Sequence, residues 1–324
     1  MKPVLKLYRG YANEQELIVM GHVFKPTTKE DYDFQKKKFQ NARSVIRMFR
    51  IKTHANADVY LDHHGEKIHT KTLDDGYFKF CIPIHHDSGY GWMDYSVSIL
   101  YNGEEIITKG SYIRPYEGNL GFISDIDDTF LISHTRNPFK KLFILLFRNV
   151  NDRKIFDNVV PHYRELSRAG RNSKGEQNAF FYVSSSEWNL YRFIVQFTAL
   201  HHLPRGVLLL KDIKTSLTDF FITGRGDHKH KFEKIKHILE FYPNLSYTLL
   251  GDDSQADPYL YENICKIFPV NVRAVYIRQT GKHKKEKAIA AIENIKTLEV
   301  ATCYFSDSAE AIAHSKSIGL ISPL

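Results

Sequence analysis

Cysteine is scarce in this chain. Its 324 residues include three, Cys81, Cys265 and Cys303, far apart and odd in number. No CxxC pair and no Cys/His cluster at zinc spacing occurs, which argues against both a disulfide framework and a structural zinc site. Proline is sparse and low-complexity tracts are missing, as in ordinary soluble globular proteins. Long hydrophobic runs are missing too. The longest strongly apolar run, LFILLF at 142–147, is far too short to span a bilayer. The opening residues MKPVLKLYRGYANEQELIVM lack the apolar h-region of a secretory signal. The expectation is a soluble cytoplasmic protein, peripheral at membranes if it meets them at all.

Acidic residues are outnumbered, 37 against 45 Lys and Arg, for a net charge of +8. That balance favours anionic partners: phosphorylated substrates, an anionic membrane surface or nucleic acid. No base-stacking motif or helix-turn-helix pattern accompanies the charge, so nucleic acid is not expected.

The length allows two domains. Residues 1–118 read as β-rich. ELIVMGHVF at 16–24 and ADVYLDHHGEKIHTKTLDDGYFKFCIPI at 57–84 carry short strand-like runs, with turns at Gly65 and Gly76. YSVSILYNGEEIITKG at 95–110 reads as a hairpin turning at Asn102-Gly103. Strands at this spacing suggest a small sandwich. Residues 27–52 read as helical or looped, without a clear pattern.

From 119 to 324 the pattern changes. FISD (122–125), FFYVSSS (180–186), GVLLLKD (206–212), YTLLGDD (247–253) and RAVYIRQ (273–279) are short apolar runs ending in polar residues. Helix-like stretches separate them, among them VVPHYRELSRAG, NLYRFIVQFTALHH and HKFEKIKHILEFYP. The alternation predicts a doubly wound α/β domain with a buried parallel sheet. Ligands of such sheets bind beyond the carboxyl ends of the strands, where SDIDDT, SSS and GDD fall.

Those ends carry the chemistry. Asp125, Asp127 and Asp128 lie within four residues, and like charges so close raise the cost of ionising one another. A shared divalent cation relieves the repulsion, and oxygen-only ligands suit Mg²⁺. GDDSQAD supplies Asp252, Asp253 and Asp257 at a second strand end. An ionised aspartate beside Mg²⁺-bound phosphate is a competent nucleophile, and Asp127 could shuttle the proton. Ser184 could donate to phosphate oxygens and Lys231 could supply a fixed positive charge.

The ordered set DxDxT, strand-end Ser, Lys and GDxxxxD resembles the haloacid dehalogenase superfamily of aspartate-nucleophile phosphotransferases. The segments GNLGFISDIDDT, FFYVSSSEWNLY, LPRGVLLLKD, HKFEKIKHILEFYPNLSYTLLGDDSQADPYLYENI and VRAVYIRQ narrow it. Together they are similar to the actin-patch-associated phosphatidate phosphatase family, across roughly residues 112–280. The resemblance implies a haloacid dehalogenase-like catalytic domain that removes phosphate from phosphatidate with Mg²⁺. It makes Asp125 the nucleophile and Asp127 the acid/base. Thr129, Ser184, Ser185 and Lys231 would meet the phosphate. Asp125, the carbonyl of Asp127 and Asp252 would hold the metal, with Asp253 a secondary candidate. Two positions depart from the family: Glu187 stands where Pro is usual in an S-x-S-P-W run, and Asp253-Ser254 replaces the commoner Ser-Gly.

About 50 residues separate the first two motifs, too few for a large lid domain, so a bulky or membrane-embedded substrate could enter. HTRNPFKKLFILLFRNVNDRK at 134–154 sets six basic residues around an apolar aromatic centre. It fits either a flap packed on the core or a lipid-docking segment. The basic run GKHKKEK at 281–287 reads as a solvated helix start, with phosphate or headgroup contact as the sharper option. Two rival readings stay open: a phosphatase for a soluble phosphomonoester or phosphoprotein, and a membrane- or scaffold-binding module.

Overall fold

The structure, a computed structural model, describes residues 2–26, 52–63, 65–84, 89–116, 118, 120–126, 158–173, 175–211 and 228–322. The stretch at 27–51, the segment at 134–154 and the residues Asp127, Asp128 and Thr129 lie outside these. The chain divides into two compact units. The first takes residues 1–116, 187–191 and 212–223; the second takes 117–186, 192–211 and 224–324.

The first unit is a single hydrogen-bonded network of eight strands. They are β1 (Val4–Leu7), β2 (Gly10–Ala12), β3 (Glu16–Phe24), β4 (Asp58–His63), β5 (Glu66–Lys71), β6 (Tyr77–Pro83), β7 (Gly91–Tyr101) and β8 (Glu104–Arg114). The strands expected to form a small sandwich belong to one hydrogen-bonded sheet, branched at β3, which is paired along both edges. Strand β3 takes β1 and β2 end to end on one side and β6 on the other. All pairs given for this sheet are antiparallel except β2 with β8.

Strands β5 and β6 sit at opposite ends of the strand order, yet residues 72–76 alone join them. Seven strand columns laid flat would span roughly 29 Å at about 4.8 Å per gap, beyond the roughly 20 Å that so short a link reaches. The sheet therefore curls around its apolar face. Alternation shows which face: in β6, Phe78, Phe80 and Ile82 are buried while Lys79 and Cys81 are exposed. The β7–β8 hairpin turns at Asn102 and Gly103, at φ 51° and 81°, the pair of positive values a two-residue hairpin requires.

The second unit holds a six-stranded sheet in the order β11-β10-β9-β12-β13-β14. Its strands are β9 (Leu120–Ser124), β10 (Ala179–Glu187), β11 (Val207–Lys211), β12 (Ser246–Asp252), β13 (Val272–Arg278) and β14 (Ala301–Phe305). The described pairings are parallel. The five apolar runs read from the sequence all appear as strands, and β14 is a sixth that the sequence did not announce. Their residues are buried on both faces, which is why they lack alternation: Phe122, Ile123, Phe180, Phe181 and Tyr182 are each 0% exposed.

Six helices are described: α1 (Val159–Arg168), α2 (Tyr191–Leu200), α3 (His228–Phe241), α4 (Asp257–Ile267), α5 (Glu286–Lys296) and α6 (Ser308–Ser317). Their apolar positions recur at helical spacing, as in Val159, Tyr163 and Leu166 of α1 and Ala288, Ala291, Ile292 and Ile295 of α5. From β9 the chain runs outward through β10 and β11, then returns to pair β12 on the other side of β9. The order reverses between β9 and β12, and at such a switch point the carboxyl ends of the two strands open a crevice for ligands.

Candidate active site

Asp125 is the first residue past β9 and Asp252 the last of β12, so both stand at the switch point. The Asp125 amide still belongs to the sheet and donates to the Leu250 carbonyl at 2.8 Å. That carbonyl also accepts the Tyr261 hydroxyl of α4 at 2.9 Å. Behind Asp125, Ser124 Oγ donates to the Asp125 carbonyl at 2.6 Å and lies 2.8 Å from the Tyr163 hydroxyl of α1. Burial raises the Tyr163 pKa well above that of an ordinary tyrosine, which keeps the phenol protonated and able to donate.

Asp257 opens α4, where a helix N-terminus favours negative charge. Its Oδ2 accepts the Asp252 amide at 3.4 Å, a weak bond. Gly251 makes the approach possible. A Cβ there would stand 2.8 Å from Asp257 Oδ2 and 2.8 Å from the Tyr261 ring, closer than side chains tolerate. One carboxylate oxygen each from Asp125, Asp252 and Asp257 lies within 4.8 Å of the others, and all three residues are buried.

Lys231, one turn into α3 and 2% exposed, joins this group. Its Nζ is 2.8 Å from Asp125 Oδ1 and 2.9 Å from Asp257 Oδ1. Burial alone would lower the lysine pKa, but the Asp125 and Asp257 carboxylates outweigh it and hold the pKa above the ordinary value. The ammonium is therefore fixed, charged and bridging. The donor set is oxygen-only on the carboxylate side and suits a hard cation such as Mg²⁺.

The other expected residues fall as follows. Ser184 lies two residues beyond Tyr182, the partner of Ser124 in the sheet register, and is fully buried near the end of β10. Its Oγ accepts the Ser186 amide at 3.0 Å, and Ser185 beside it is half-buried. Asp253 turns away from the trio. Its carboxylate accepts the Thr280 amide at 3.0 Å and the Tyr304 hydroxyl at 2.6 Å, and pairs with Lys285 at 3.2 Å. Asp127 and Thr129 lie outside the described residues.

The structure adds residues the sequence reading did not single out. Tyr261 and Tyr163 brace the main chain at Asp125. Arg278, paired in register with Asp252, is 2% exposed, and burial lowers its pKa to about 10. Tyr261 follows Asp257 by one helical turn, the only sequence signal that could have pointed to it.

A buried carboxylate trio bridged by a lysine thus stands at the switch point of a parallel α/β sheet. Residues 120–279 match the family model described as "Phosphatidate phosphatase APP1, catalytic domain". The chain is 29% identical over 174 residues to "Phosphatidate phosphatase APP1" of Saccharomyces cerevisiae, a match covering 52% of this chain and 27% of that relative. The chain thus spans about a quarter of the length of the curated relative it matches. Among solved structures, a carbohydrate acetylesterase from Xanthomonas citri aligns with a TM-score of 0.35 at 10% identity, covering 98% of this chain and 75% of that one. A β-glucuronidase from Parabacteroides merdae aligns at 0.29 and 8%, covering 93% and 39%. Neither likeness carries an argument about fold or function. No helix among the described residues is long and apolar enough to cross a membrane.

Proposed function

We propose that the chain is a Mg²⁺-dependent phosphatidate phosphatase of haloacid dehalogenase-like fold, hydrolysing phosphatidate to diacylglycerol and phosphate at an anionic membrane surface. The observation that carries the reading is the convergence of Asp125, Asp252 and Asp257 with Lys231, within the segment that matches the phosphatidate phosphatase family model.

In this reading an Asp125 carboxylate oxygen attacks phosphorus and the bond from phosphorus to the glycerol oxygen breaks. Asp127 gives that oxygen its proton, and diacylglycerol leaves an aspartyl-phosphate behind. Asp127 then takes a proton from water as the water oxygen attacks phosphorus, releasing phosphate and restoring Asp125. Lys231 pairs with the Asp125 carboxylate and orients it. Thr129, Ser184 and Ser185 offer hydroxyls to the phosphate oxygens. Asp125 and Asp252, with the main-chain carbonyl of Asp127, would hold Mg²⁺, which when bound neutralises phosphate oxygens. Asp253, held by Thr280, Tyr304 and Lys285, is left out of that ligand set.

The test is phosphate release from phosphatidate in mixed micelles. Asp125→Asn should lower turnover on the order of a thousandfold or more, and a chelator should abolish wild-type turnover until Mg²⁺ is restored. Unaltered turnover in Asp125→Asn would refute Asp125 as nucleophile. Activity confined to small sugar phosphates would move the assignment to a soluble phosphomonoester.

A further inference from the structure

Away from the carboxylate trio, the densest basic run among the described residues spans the turn after β13 and the start of α5. Lys282, His283, Lys284, Lys285 and Lys287 stand there with Glu286 as the single acid, and residues 281–287 are all exposed. The turn leaves the sheet beside the site, because Arg278 at the end of β13 is in register with Asp252. Its base is pinned by the Asp253 carboxylate, which takes the Thr280 amide and pairs with Lys285. Tyr304 closes the clamp from β14: its hydroxyl donates to Asp253 and accepts the Lys285 amide at 3.0 Å. Lys284 Nζ lies 5.0 Å from the centroid of the same ring.

Two more features share this edge. Lys229 is exposed two residues before Lys231 at the start of α3, and Tyr259 is 40% exposed two residues after Asp257 at the start of α4. Among the described residues, Asp307 and Glu310 form the capping box of α6, Glu286 sits in the first turn of α5, and Glu233 is exposed one turn beyond Lys229 in α3.

We propose that residues 281–287, with Lys229 on the same edge, dock the carboxylate end of the second unit on an anionic phospholipid surface. The proposal takes its ligand class from the phosphatidate reading above. The argument is charge complementarity with a direction. Attraction to an anionic bilayer acts within about a Debye length, roughly 8 Å at physiological salt, so it pulls down the edge that carries the lysines. That edge also carries Asp125 and Asp252, so docking brings the site to the layer where a lipid phosphate lies. A turn clamped at its base presents the charges without a large ordering cost on binding.

Each lysine near such a surface strengthens binding roughly fivefold. The full chain carrying Lys282→Ala, Lys284→Ala and Lys287→Ala should therefore bind phosphatidylserine-containing phosphatidylcholine vesicles on the order of a hundredfold more weakly than wild type in a sedimentation assay. The triple Lys→Arg variant should keep wild-type binding, and Lys285 stays unchanged because it pairs with Asp253. Turnover of a water-soluble aryl phosphate should be unaltered in both variants. Wild-type-like vesicle binding by the triple Ala variant would overturn the proposal, as would binding indifferent to phosphatidylserine. Loss of soluble turnover in the triple Ala variant would assign the turn to the catalytic site instead. Wild type that binds these vesicles but leaves phosphatidate intact would sink the substrate reading while the docking stands.

Discussion

Lys231→Met is the most informative single change. Methionine preserves most of the length and apolar stem of lysine while deleting the ammonium that lies 2.8 Å from Asp125 and 2.9 Å from Asp257. Those carboxylates, no more than 4.8 Å apart at their nearest oxygens, then repel by roughly 3.5 kcal/mol at an effective dielectric of about 20. Breaking a buried charge pair from one side costs a similar sum, about 3–5 kcal/mol. For a unit of this size that lowers Tm by roughly 6–20 °C. The assay is calorimetry in chelator-containing buffer, so that no cation takes over the lysine's place. Asp257→Asn combined with Lys231→Met should recover part of the loss, because one of the two repelling charges is gone. A drop under about 1 kcal/mol, or single losses that add in the double variant to within about 0.5 kcal/mol, would refute the direct charge contact.

Gly251→Ala puts a methyl 2.8 Å from both Asp257 Oδ2 and the Tyr261 ring. It should cost about 1–3 kcal/mol and reduce phosphate release more than an equally destabilising substitution in the first unit, with the two compared at matched folded fraction. Acid should destabilise the fold through His162, which is 2% exposed, hydrogen-bonded to Ser315 at 2.9 Å and lowered by burial to about 3. Between pH 6.5 and that value the unfolded chain binds a proton that the folded chain refuses, so stability falls as pH falls, by about 2 kcal/mol at pH 5. His162→Asn should flatten that part of the slope in thermal unfolding from neutral pH to pH 5, and a slope equal to wild type would count against the buried neutral imidazole.

The parallel sheet was readable because strands buried on both faces must be apolar throughout, as in FFYV and YTLL. β14 escaped notice for the opposite reason: ATCYF sits at the sheet edge, and its first four residues are half-buried. The curl of the first sheet was hidden because it depends on which strands pair, and the parallel β2–β8 contact joins residues about a hundred positions apart in the chain. GDDSQAD shows the limit most clearly. Composition gives three equal carboxylates, but side chains alternate in direction along an extended backbone, and Asp253, just past β12, still donates its amide to the Arg278 carbonyl of β13. Asp252 and Asp253 therefore part company, one toward Asp125 and the other toward Thr280, Tyr304 and Lys285. Asp257 returns to the first group only because α4 starts there, a fact of the turn rather than of the strand.

The pairing of β9 with β12 also has a kinetic side. Asp125 and Leu250, joined by a main-chain hydrogen bond, close a loop of roughly 125 residues, and such distant contacts are won late because the entropy of closure must be spent first. The ends of β10 and β11 can be in place while Asp125 still lacks Asp252, Asp257 and a fixed Lys231. Activity regained on refolding would then time the insertion of β12 between β9 and β13, a later event than collapse or helix formation.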